Sequence, residues 1–362
     1  MKKIRFGILG SGYMGRTHAE AVLRLADDAA LTAVSGGRRA PGLAARFGIP
    51  EEPTAEALIR RADVDAVIVA TPHHLHPAAT ILALEQGKHV LVEKPLATSV
   101  DDCDRMIAAA TRSKRILATG YHQRFRPNNR EARRLIQAGA IGRLQTVQVS
   151  MPSQQPVGMS NFGSDWSWWN DPASVGHLVN SFPHGIDLLR WCTGAEVSTV
   201  TAFCRTLLPD IKVEDTTMAL AEFSNGVIAS LYSSRALPAP PFPGEAFRCR
   251  FVGTTGLIDL DPYDELKIAD EKGWRLVSKQ PAVGHESADT AFGESRMQAY
   301  RDQMKAFIVA IRGEKVTPEM IPVGTGPDGR VAVAVCHAML ASSQQRRWVE
   351  LSSPAAQPAS AR

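Results

Sequence analysis

The chain has 362 residues, which is long enough for two domains. Its composition, 44% hydrophobic and 22% charged, is typical of an ordinary soluble globular protein. Its formal net charge of +4 is small and no basic block stands in the sequence, so no nucleic-acid partner is expected. No apolar run is long enough to span a bilayer, and no membrane partner is expected either. Five cysteines without a C-x-x-C pair argue against a disulfide framework or a structural zinc and favour a cytoplasmic protein.

The amino-terminal stretch carries the first motif. Residues 3–9 lack polar alternation, which predicts a short strand buried on both faces. A G-x-G-x-x-G turn follows at once, and apolar residues then recur at helical spacing. In this setting the glycines allow a tight turn and a close approach of backbone N–H groups to a pyrophosphate, and the helix start supplies partial positive charge. We therefore predict a dinucleotide site formed by Gly10, Ser11, Gly12, Tyr13, Met14 and Gly15.

Alternating strand and helix patterns continue through the first third of the chain. Short apolar runs predict further strands at residues 31–35, 66–70, 89–93 and 116–119. Thr54 and Ser99 are placed to cap two of the intervening helices. This βαβ alternation predicts a doubly wound parallel sheet whose ligand lies outside the carboxyl ends of the strands. We expect this Rossmann domain of an α/β protein to cover residues 1–122.

The residues after the second strand bear on the choice between NAD and NADP. In an NAD site an acidic residue about 20 positions past the glycine turn holds the adenosine ribose hydroxyls. The residues at these positions, none of them acidic, are Ser35, Gly36, Gly37, Arg38 and Arg39. Small residues leave room for a 2′-phosphate, and a guanidinium group can bind it bidentately. The sequence therefore favours NADP, contacted by Gly36, Arg38 and Arg39, with NAD and two solvated arginines as the alternative.

A cluster of histidines follows the strand predicted at residues 66–70. The motif consists of Thr71, Pro72, His73, His74, Leu75 and His76. The histidine spacing could suggest a metal, but no aspartate, glutamate or cysteine stands in the cluster, so no metal is expected. We assign Thr71, Pro72, His73 and His76 to the loop that binds the cofactor, with capping of the next helix as the alternative for the histidines.

Glu93, Lys94 and Pro95 close the strand predicted at residues 89–93. The proline ends the strand, and with a cis peptide bond it would aim Lys94 sharply into the ligand cleft. A lysine at a strand end is often only surface charge, whereas one held rigidly beside a nucleotide crevice is a candidate for chemistry. We therefore place Glu93 and Lys94 at the cofactor and treat Lys94 as a candidate catalytic residue.

These motifs and two later stretches resemble those of the Gfo/Idh/MocA oxidoreductases. Residues 120–125 read GYHQRF, and residues 176–191 read GHLVNSFPHGIDLLRW, which is similar to that family's catalytic helix. The resemblance covers nearly the whole chain. It implies a dinucleotide domain followed by an α+β domain with a large, mostly antiparallel open sheet, often packed sheet to sheet in homodimers or homotetramers. It also implies reversible hydride transfer between NAD(P) and a sugar, polyol or related cyclic alcohol.

The resemblance also assigns roles to single residues. It implies that Lys94 lies near the nicotinamide and that His184 is the general acid/base. The family commonly has an aspartate four residues before this histidine, where this chain has Asn180, which cannot take a proton. Because Lys94 and His184 fall on different predicted domains, they can meet only across a cleft that holds the substrate. The predicted substrate-binding residues are His122, Arg124, Trp166, Asn180 and His184.

The expected chemistry distinguishes the two catalytic candidates. Oxidation of a secondary alcohol sends a hydride to the nicotinamide while the hydroxyl proton leaves. A base that titrates near neutrality suits that proton, which favours His184, and Lys94 would donate to the developing alkoxide. The alternatives are a core histidine for His184, a surface salt bridge for Arg124, and a core or subunit contact for Trp166.

The remaining chain predicts a second domain over residues 123–350. Alternating patterns predict strands at residues 144–150, 217–223, 226–232 and 247–252. Asn225 and Gly226 form a hairpin signal between two of them. Strands without helices between them predict antiparallel pairing. Residues 351–362 are expected to form a disordered tail.

Two other classes of function are alternatives to a dehydrogenase. Some relatives of the resembled family retain the dinucleotide and use transient oxidation to drive glycoside cleavage or elimination, as a glycosidase or lyase. The other class is a non-catalytic NADP-binding sensor. Net cofactor turnover with an added polyol separates a dehydrogenase from the first alternative, and the presence of both Lys94 and His184 counts against the second.

Overall fold

A computed structural model describes residues 2–154, 170–238, 240, 242, 244–281, 292–315, 317 and 320–351. The chain forms two compact units. The first comprises Met1–Pro127, Pro156–Val175 and Pro281–Val333. The second comprises Asn128–Gln155, Gly176–Gln280 and Ala334–Arg362. The domain boundary after residue 122 stays a prediction, but residues 292–333, which the sequence assigns to the second domain, belong to the first unit. Residues 352–362 of the predicted tail lie outside the described residues.

The elements follow the chain in two differently composed halves. The first half alternates, in the order β1 Ile4–Leu9, α1 Tyr13–Leu23, β2 Ala29–Ser35, α2 Ala40–Phe47, β3 Glu51–Glu52, α3 Ala55–Arg60, β4 Ala66–Val69, α4 His76–Glu85, β5 His89–Val92, α5 Val100–Ser113, β6 Leu117–Thr119 and α6 Pro127–Gln137. The second half is richer in strands, in the order β7 Leu144–Gln154, α7 Gly176–Ser181, α8 Pro183–Thr193, β8 Val197–Arg205, β9 Thr216–Phe223, β10 Ile228–Leu237, β11 Arg248–Gly253, β12 Leu257–Leu260, β13 Glu265–Asp270, β14 Gly273–Lys279, α9 Glu294–Arg312, β15 Gly324–Thr325, α10 Gly326–Gln345 and β16 Val349–Glu350.

The first unit is built on a seven-stranded sheet with the order β15-β6-β5-β4-β1-β2-β3. Strands β1 to β6 pair in parallel, and the short β15 runs antiparallel to β6. Phe6, Ile68 and Leu91 are fully buried, as expected of strands that lack polar alternation. The predicted doubly wound α/β sheet is confirmed. Its strand order reverses between β1 and β4, and ligands of such sheets bind at the carboxyl ends of those strands.

Local capping signals explain where two helices of this unit begin. The Oγ atom of Ser99 accepts the backbone N–H of Asp102 at 3.1 Å and donates to its carboxylate at 2.8 Å, at the start of α5. The Oγ1 atom of Thr54 accepts the N–H of Ala57 at 3.1 Å, at the start of α3. Each side chain satisfies a backbone donor that the first helical turn leaves without a partner. Both predicted caps are confirmed.

The second unit contains a nine-stranded sheet with the order β14-β13-β12-β11-β7-β10-β9-β8-β16. Neighbouring strands are antiparallel except β7 and β10, which pair in parallel. In β9 buried Ala219 and Ala221 alternate with exposed Met218 and Leu220, so one face of the sheet faces the core. Gly226 takes φ +82° in the hairpin between β9 and β10. The predicted mostly antiparallel open sheet is confirmed.

Candidate active-site residues

The glycine turn after β1 is closely packed on its own backbone. Gly10 takes φ +101°, and a Cβ on it would lie 2.3 Å from the carbonyl oxygen of Ala70, which follows β4. A Cβ on Gly15 would lie 1.9 Å from the oxygen of Gly10. A Cβ on Gly12, by contrast, would meet no described atom within 4 Å. The first and third glycines are therefore required by packing, and the middle one faces open space into which a pyrophosphate fits.

Tyr13 and Met14 begin α1 and turn their side chains to α9. The Tyr13 ring lies 5.6 Å from that of Phe292, and the guanidinium of Arg296 lies 4.5 Å from the Tyr13 centroid. Met14 packs against the same apolar cluster. No side chain among the described residues caps the first turn of α1. The residues present therefore fit a dinucleotide phosphate bound by backbone N–H groups at this helix start, and contacts from the two side chains stay a prediction.

The end of β2 lies beside the glycine turn. The backbone N–H of Gly10 donates to the Ser35 oxygen at 2.8 Å, and a Cβ on Gly37 would lie 2.7 Å from the Ser11 Oγ. Gly36 and Gly37 take φ +84° and +83°. The Ser35 hydroxyl is fully buried and has no hydrogen-bond partner among the described residues. This loop is thus a tight glycine turn that fits a ribose hydroxyl or phosphate.

The two arginines of that loop differ in their exposure. The Arg38 side chain is exposed, and Arg39 is half-buried where it precedes α2. Both belong to the predicted cofactor-binding set. A guanidinium group binds anionic groups such as phosphate bidentately, so contacts of Arg38 and Arg39 with the cofactor stay predictions.

The histidine loop follows β4. His73 starts a short 3-10 turn, Leu75 ends it, and α4 begins at His76. Burial, followed by the nearby His76, Lys94 and His74, holds the pKa of His73 well below its usual value. Within the described ranges no group of three His, Cys, Asp or Glu side chains is placed to hold a metal ion. The roles of Thr71, Pro72 and His73 at the cofactor stay predictions.

His76 connects two loops at the carboxyl edge of the sheet. Its imidazole is fully buried, with Nδ1 2.9 Å from the Pro95 oxygen and Nε2 2.9 Å from the Thr71 oxygen. Burial lowers its pKa, and hydrogen bonds to these carbonyls partly oppose that shift. The ring therefore holds the loops after β4 and β5 together. A direct contact between His76 and the cofactor stays a prediction.

Lys94 follows β5 on the same edge of the sheet. The Lys94–Pro95 peptide bond is cis. The side chain is half-buried, and burial lowers the pKa of its ammonium group while the neighbouring Glu93 carboxylate raises it. Glu93 itself is buried, with Oε1 2.7 Å from the His18 Nε2. No local motif marks His18 as a partner of Glu93, because only the fold brings α1 to the end of β5.

His122 and Arg124, predicted to bind substrate, both have contacts within the first unit. The His122 ring stacks on that of Tyr300 at 4.3 Å between centroids. Arg124 lies 3.3 Å from the Asp328 carboxylate, and its side chain is only 7% exposed. An ion pair was the alternative for Arg124, although this pair is largely buried rather than on the surface. Substrate binding by either residue stays a prediction.

The stretch resembling a catalytic helix is two helices, α7 and α8, separated at Phe182. Pro183 opens α8, since a residue without an N–H suits the first helical turn but interrupts a continuing helix. Asn180 and His184 lie on opposite sides of this break, and both are buried. Their catalytic and substrate-binding roles stay predictions. Trp166, the remaining predicted substrate residue, lies outside the described residues.

Glu214 fixes the start of α7. Its Oε2 accepts the Leu178 N–H at 2.7 Å, and its backbone oxygen accepts the His177 N–H at 2.8 Å. Gly176 takes φ +84°, and a Cβ there would lie 3.0 Å from the same backbone oxygen. Burial raises the pKa of the Glu214 carboxyl. The sequence gives no signal for this contact, because Glu214 stands more than thirty residues further along the chain.

A parallel sheet with a tight G-x-G-x-x-G turn and a lysine on one edge, in a chain that also forms a mostly antiparallel open sheet, is typical of a dinucleotide-dependent oxidoreductase. The chain matches the oxidoreductase family with an NAD-binding Rossmann fold over residues 4–121. It matches the GFO/IDH/MocA C-terminal domain over residues 129–259. The chain therefore belongs to the GFO/IDH/MocA oxidoreductase family, and the predicted resemblance is confirmed.

Similar proteins span nearly the whole chain. Inositol 2-dehydrogenase 1 of Saccharopolyspora erythraea is 28% identical and covers 96% of either chain. Myo-inositol 2-dehydrogenase of Thermotoga maritima is 27% identical, over 96% of this chain and 98% of its own. A levoglucosan dehydrogenase solved with NADH and levoglucosan is 25% identical over 96% of this chain and 99% of its own, with a TM-score of 0.81. In the described part of the chain, no helix is long and apolar enough to cross a membrane.

Proposed function

We propose that the chain catalyses reversible hydride transfer between a nicotinamide dinucleotide and a secondary alcohol or ketone of a sugar or cyclic polyol. The observation that carries the proposal is Lys94, a half-buried lysine of lowered pKa on the same sheet edge as the glycine turn. Relatives named for inositol and levoglucosan oxidation support the substrate class. The boundary after residue 122 is proposed to divide the cofactor part from the substrate part.

The proposed mechanism gives proton transfer to one residue and stabilisation of the developing alkoxide to another. When bound, the nicotinamide supplies the hydride acceptor or donor. His184 takes the hydroxyl proton of the alcohol, since imidazole is the side chain suited to proton transfer near neutrality. The Lys94 ammonium donates a hydrogen bond to the oxygen on which negative charge develops. Asn180 binds a substrate hydroxyl through its amide and takes no part in proton transfer.

A substrate screen tests the proposal. The purified protein is incubated with NAD or NADP and single inositols, aldoses or anhydrosugars, and the absorbance of the reduced nicotinamide is followed. Net reduction that depends on the polyol, and that Lys94→Met abolishes, is the expected result. Conversion of a substrate without net reduction would instead favour the lyase or glycosidase alternative. Binding of cofactor with no conversion of any polyol would favour the sensor.

We further propose that NADP is preferred to NAD. Gly36 and Gly37 leave room after β2, Arg38 is exposed there, and no carboxylate stands at the position that would bind the ribose hydroxyls. Solved relatives contain NADH and NAD, so both dinucleotides are included in each assay.

We also propose that the open face of the nine-stranded sheet joins copies of this chain into a homodimer or homotetramer. Phe203 on β8 is paired with Met218 on β9, and Met218 is paired in turn with Tyr232 on β10, so the three side chains form a row across the sheet. Phe203 is 68% exposed and Met218 is 61% exposed. Such a row of large apolar side chains on an exposed sheet is typical of an interface between subunits. Met218→Glu should shift the mass measured by light scattering toward the monomer, whereas Glu222→Gln on the same strand should not. An unchanged mass in Met218→Glu would refute this interface.

A further inference from the structure

His18 and Glu93 form a buried pair next to the proposed catalytic lysine. His18 is the sixth residue of α1, the helix that begins within the glycine motif, and Glu93 directly follows β5. Their side chains are 0% and 7% exposed, and Nε2 and Oε1 are 2.7 Å apart. A carboxylate is retained at such depth only when hydrogen bonds replace its water.

Both oxygens of Glu93 have a defined partner. Burial raises the pKa of its carboxyl, but the hydrogen bond from His18 and the neighbouring Lys94 outweigh burial, and the pKa is lowered. The carboxylate is therefore ionised at neutral pH and only accepts, so the His18 Nε2 carries the donated proton. The other oxygen, Oε2, accepts a hydrogen bond from the backbone N–H of Lys94 at 3.2 Å. A Cβ on Gly120 would lie 3.1 Å from the Glu93 Oε1, so the carboxylate has little space on that side.

The His18 ring packs against Tyr300 of α9. Tyr300 contacts it edge to face at 6.1 Å between centroids, and Tyr300 also stacks on His122. The Arg296 guanidinium lies 4.8 Å from the Tyr300 centroid and donates to the Thr17 Oγ1 at 3.0 Å. The helix that begins at the dinucleotide turn is thereby fixed relative to the residue that precedes Lys94.

We propose that His18 is a positioning residue for Lys94 and acts through Glu93. The hydrogen bond from His18 orients the carboxylate, which in turn holds the Lys94 backbone and supplies negative charge beside its ammonium group. Among the described residues, the Glu93 carboxylate raises the pKa of Lys94, and the Lys94 charge in turn lowers the pKa of His73. The inference rests on the proposed role of Lys94, which the experiment must therefore test separately.

Two substitutions of His18 separate its hydrogen bond from its bulk. In His18→Leu the hydrogen-bond donor to Glu93 is lost. We expect kcat to fall about 10–100-fold, which is the loss typical when a metal-binding side chain is deprived of the hydrogen-bond partner that orients it. The cofactor KM should change much less. In His18→Gln the amide nitrogen replaces Nε2, and most of the activity should be recovered. His89→Leu, which removes a histidine from the opposite end of β5, serves as the matched control and should keep the native kcat.

A second readout follows Lys94 without turnover. Acylation of the Lys94 amine by an anhydride at fixed pH is measured by mass spectrometry of the peptide that contains it. Without the hydrogen bond from His18, the Glu93 carboxyl favours its neutral form. The Lys94 ammonium then loses a stabilising negative charge, so more of the Lys94 side chain is present as free amine than in the native protein. Acylation in His18→Leu should be about threefold faster, which corresponds to about half a pKa unit. His18→Gln and His89→Leu should react at the native rate.

The outcomes distinguish this inference from the proposed function. Lys94→Met is assayed in parallel. If it keeps the native kcat, the proposed role of Lys94 is wrong, and the inference fails with it. If Lys94→Met loses activity while His18→Leu retains both native kcat and native acylation, only the positioning role of His18 is refuted. Loss of kcat in His18→Leu together with an equal loss in His18→Gln would also refute it, because the donated hydrogen bond would then be irrelevant.

Discussion

The glycine-turn edge of the first unit and the α7–α8 segment of the second differ in how they hold the residues proposed to be functional. At the glycine turn the geometry is made by backbone atoms, since Gly10 and Gly15 leave no space for a Cβ. At the α7–α8 segment, buried side chains project from two helices, of which the first has its start held by Glu214. A backbone site tolerates few sequences and suits a constant ligand. A side-chain site can be altered residue by residue, which suits a substrate that differs between relatives.

The largest effects are expected from the proposed catalytic residues, one from each unit. His184→Ala should lower kcat by about 10²–10⁴, the usual contribution of a general acid or base, with cofactor affinity almost intact. Lys94→Met should be at least as damaging, because it removes a charge aimed at the developing alkoxide. Steady-state kinetics with a saturating polyol, and cofactor titrations of both variants, provide the measurements.

The double variant checks whether the two residues serve one step. Groups that act on the same proton transfer are not additive, so Lys94→Met with His184→Ala should be little worse than the poorer single variant. Losses that multiply would mean that the two residues act independently. Full activity in His184→Ala would refute its assignment and direct the search to His73, His122 and His177.

Two glycines of one turn provide the next test. Gly15→Ala would set a Cβ 1.9 Å from a carbonyl oxygen, and the free energy of unfolding should fall by about 1–3 kcal/mol or more. Gly12→Ala is the matched control for the fold, because Gly12 has φ −73° and open space around its missing Cβ. It should unfold like the native chain in denaturant titrations, yet bind the dinucleotide more weakly, because the methyl group occupies the proposed pyrophosphate position. Equal stability of the two variants would contradict the packing argument.

The cofactor preference gives a smaller expected effect. Arg38→Ala should weaken NADP binding by about 1–3 kcal/mol, the size of a lost charge-assisted contact, and leave NAD binding little changed. Arg60→Ala, which removes an exposed arginine from the end of α3, is the control and should change neither. Titration of the native and variant proteins with both dinucleotides measures the difference. Equal losses for NADP and NAD would show that Arg38 does not contact the phosphate.

The smallest effect is expected at Asn180. If a carboxylate there can assist His184, Asn180→Asp should raise kcat or shift its pH profile. The proposed mechanism instead expects a higher KM with little change in kcat, because the amide that binds a substrate hydroxyl is lost. The pH dependence of kcat and KM in the two proteins distinguishes these results. A raised kcat at any pH would argue against a purely binding role for Asn180.

Much of the fold follows from local sequence signals. The apolar strands, the glycine turn, the caps Thr54 and Ser99 and the hairpin at Gly226 all depend on residues close together in the chain. The parallel pairing of β7 with β10 was not predicted, since the two strands are separated by helices and by β8 and β9. The same reason hid the carboxylate of Glu214. The break at Phe182, by contrast, has a local signal in Pro183, which the resemblance to one continuous catalytic helix overrode. Motifs identified candidate residues, whereas their partners His18, Asp328 and Tyr300 come from distant parts of the chain.

The first unit is built from segments far apart in the chain, which limits when it can fold during synthesis. Phe307 and Met304 of α9 belong to the apolar core that contains Phe6, and β15 adds the last strand next to β6. Arg312 pairs with Asp28 at 2.8 Å. A nascent chain that has emerged only as far as residue 122 therefore lacks part of its own core and exposes apolar surface to other chains. Residues as far along the chain as β15 must leave the ribosome before the first sheet and its core can be completed. Truncation near residue 122 should therefore give an aggregation-prone fragment rather than a small stable module.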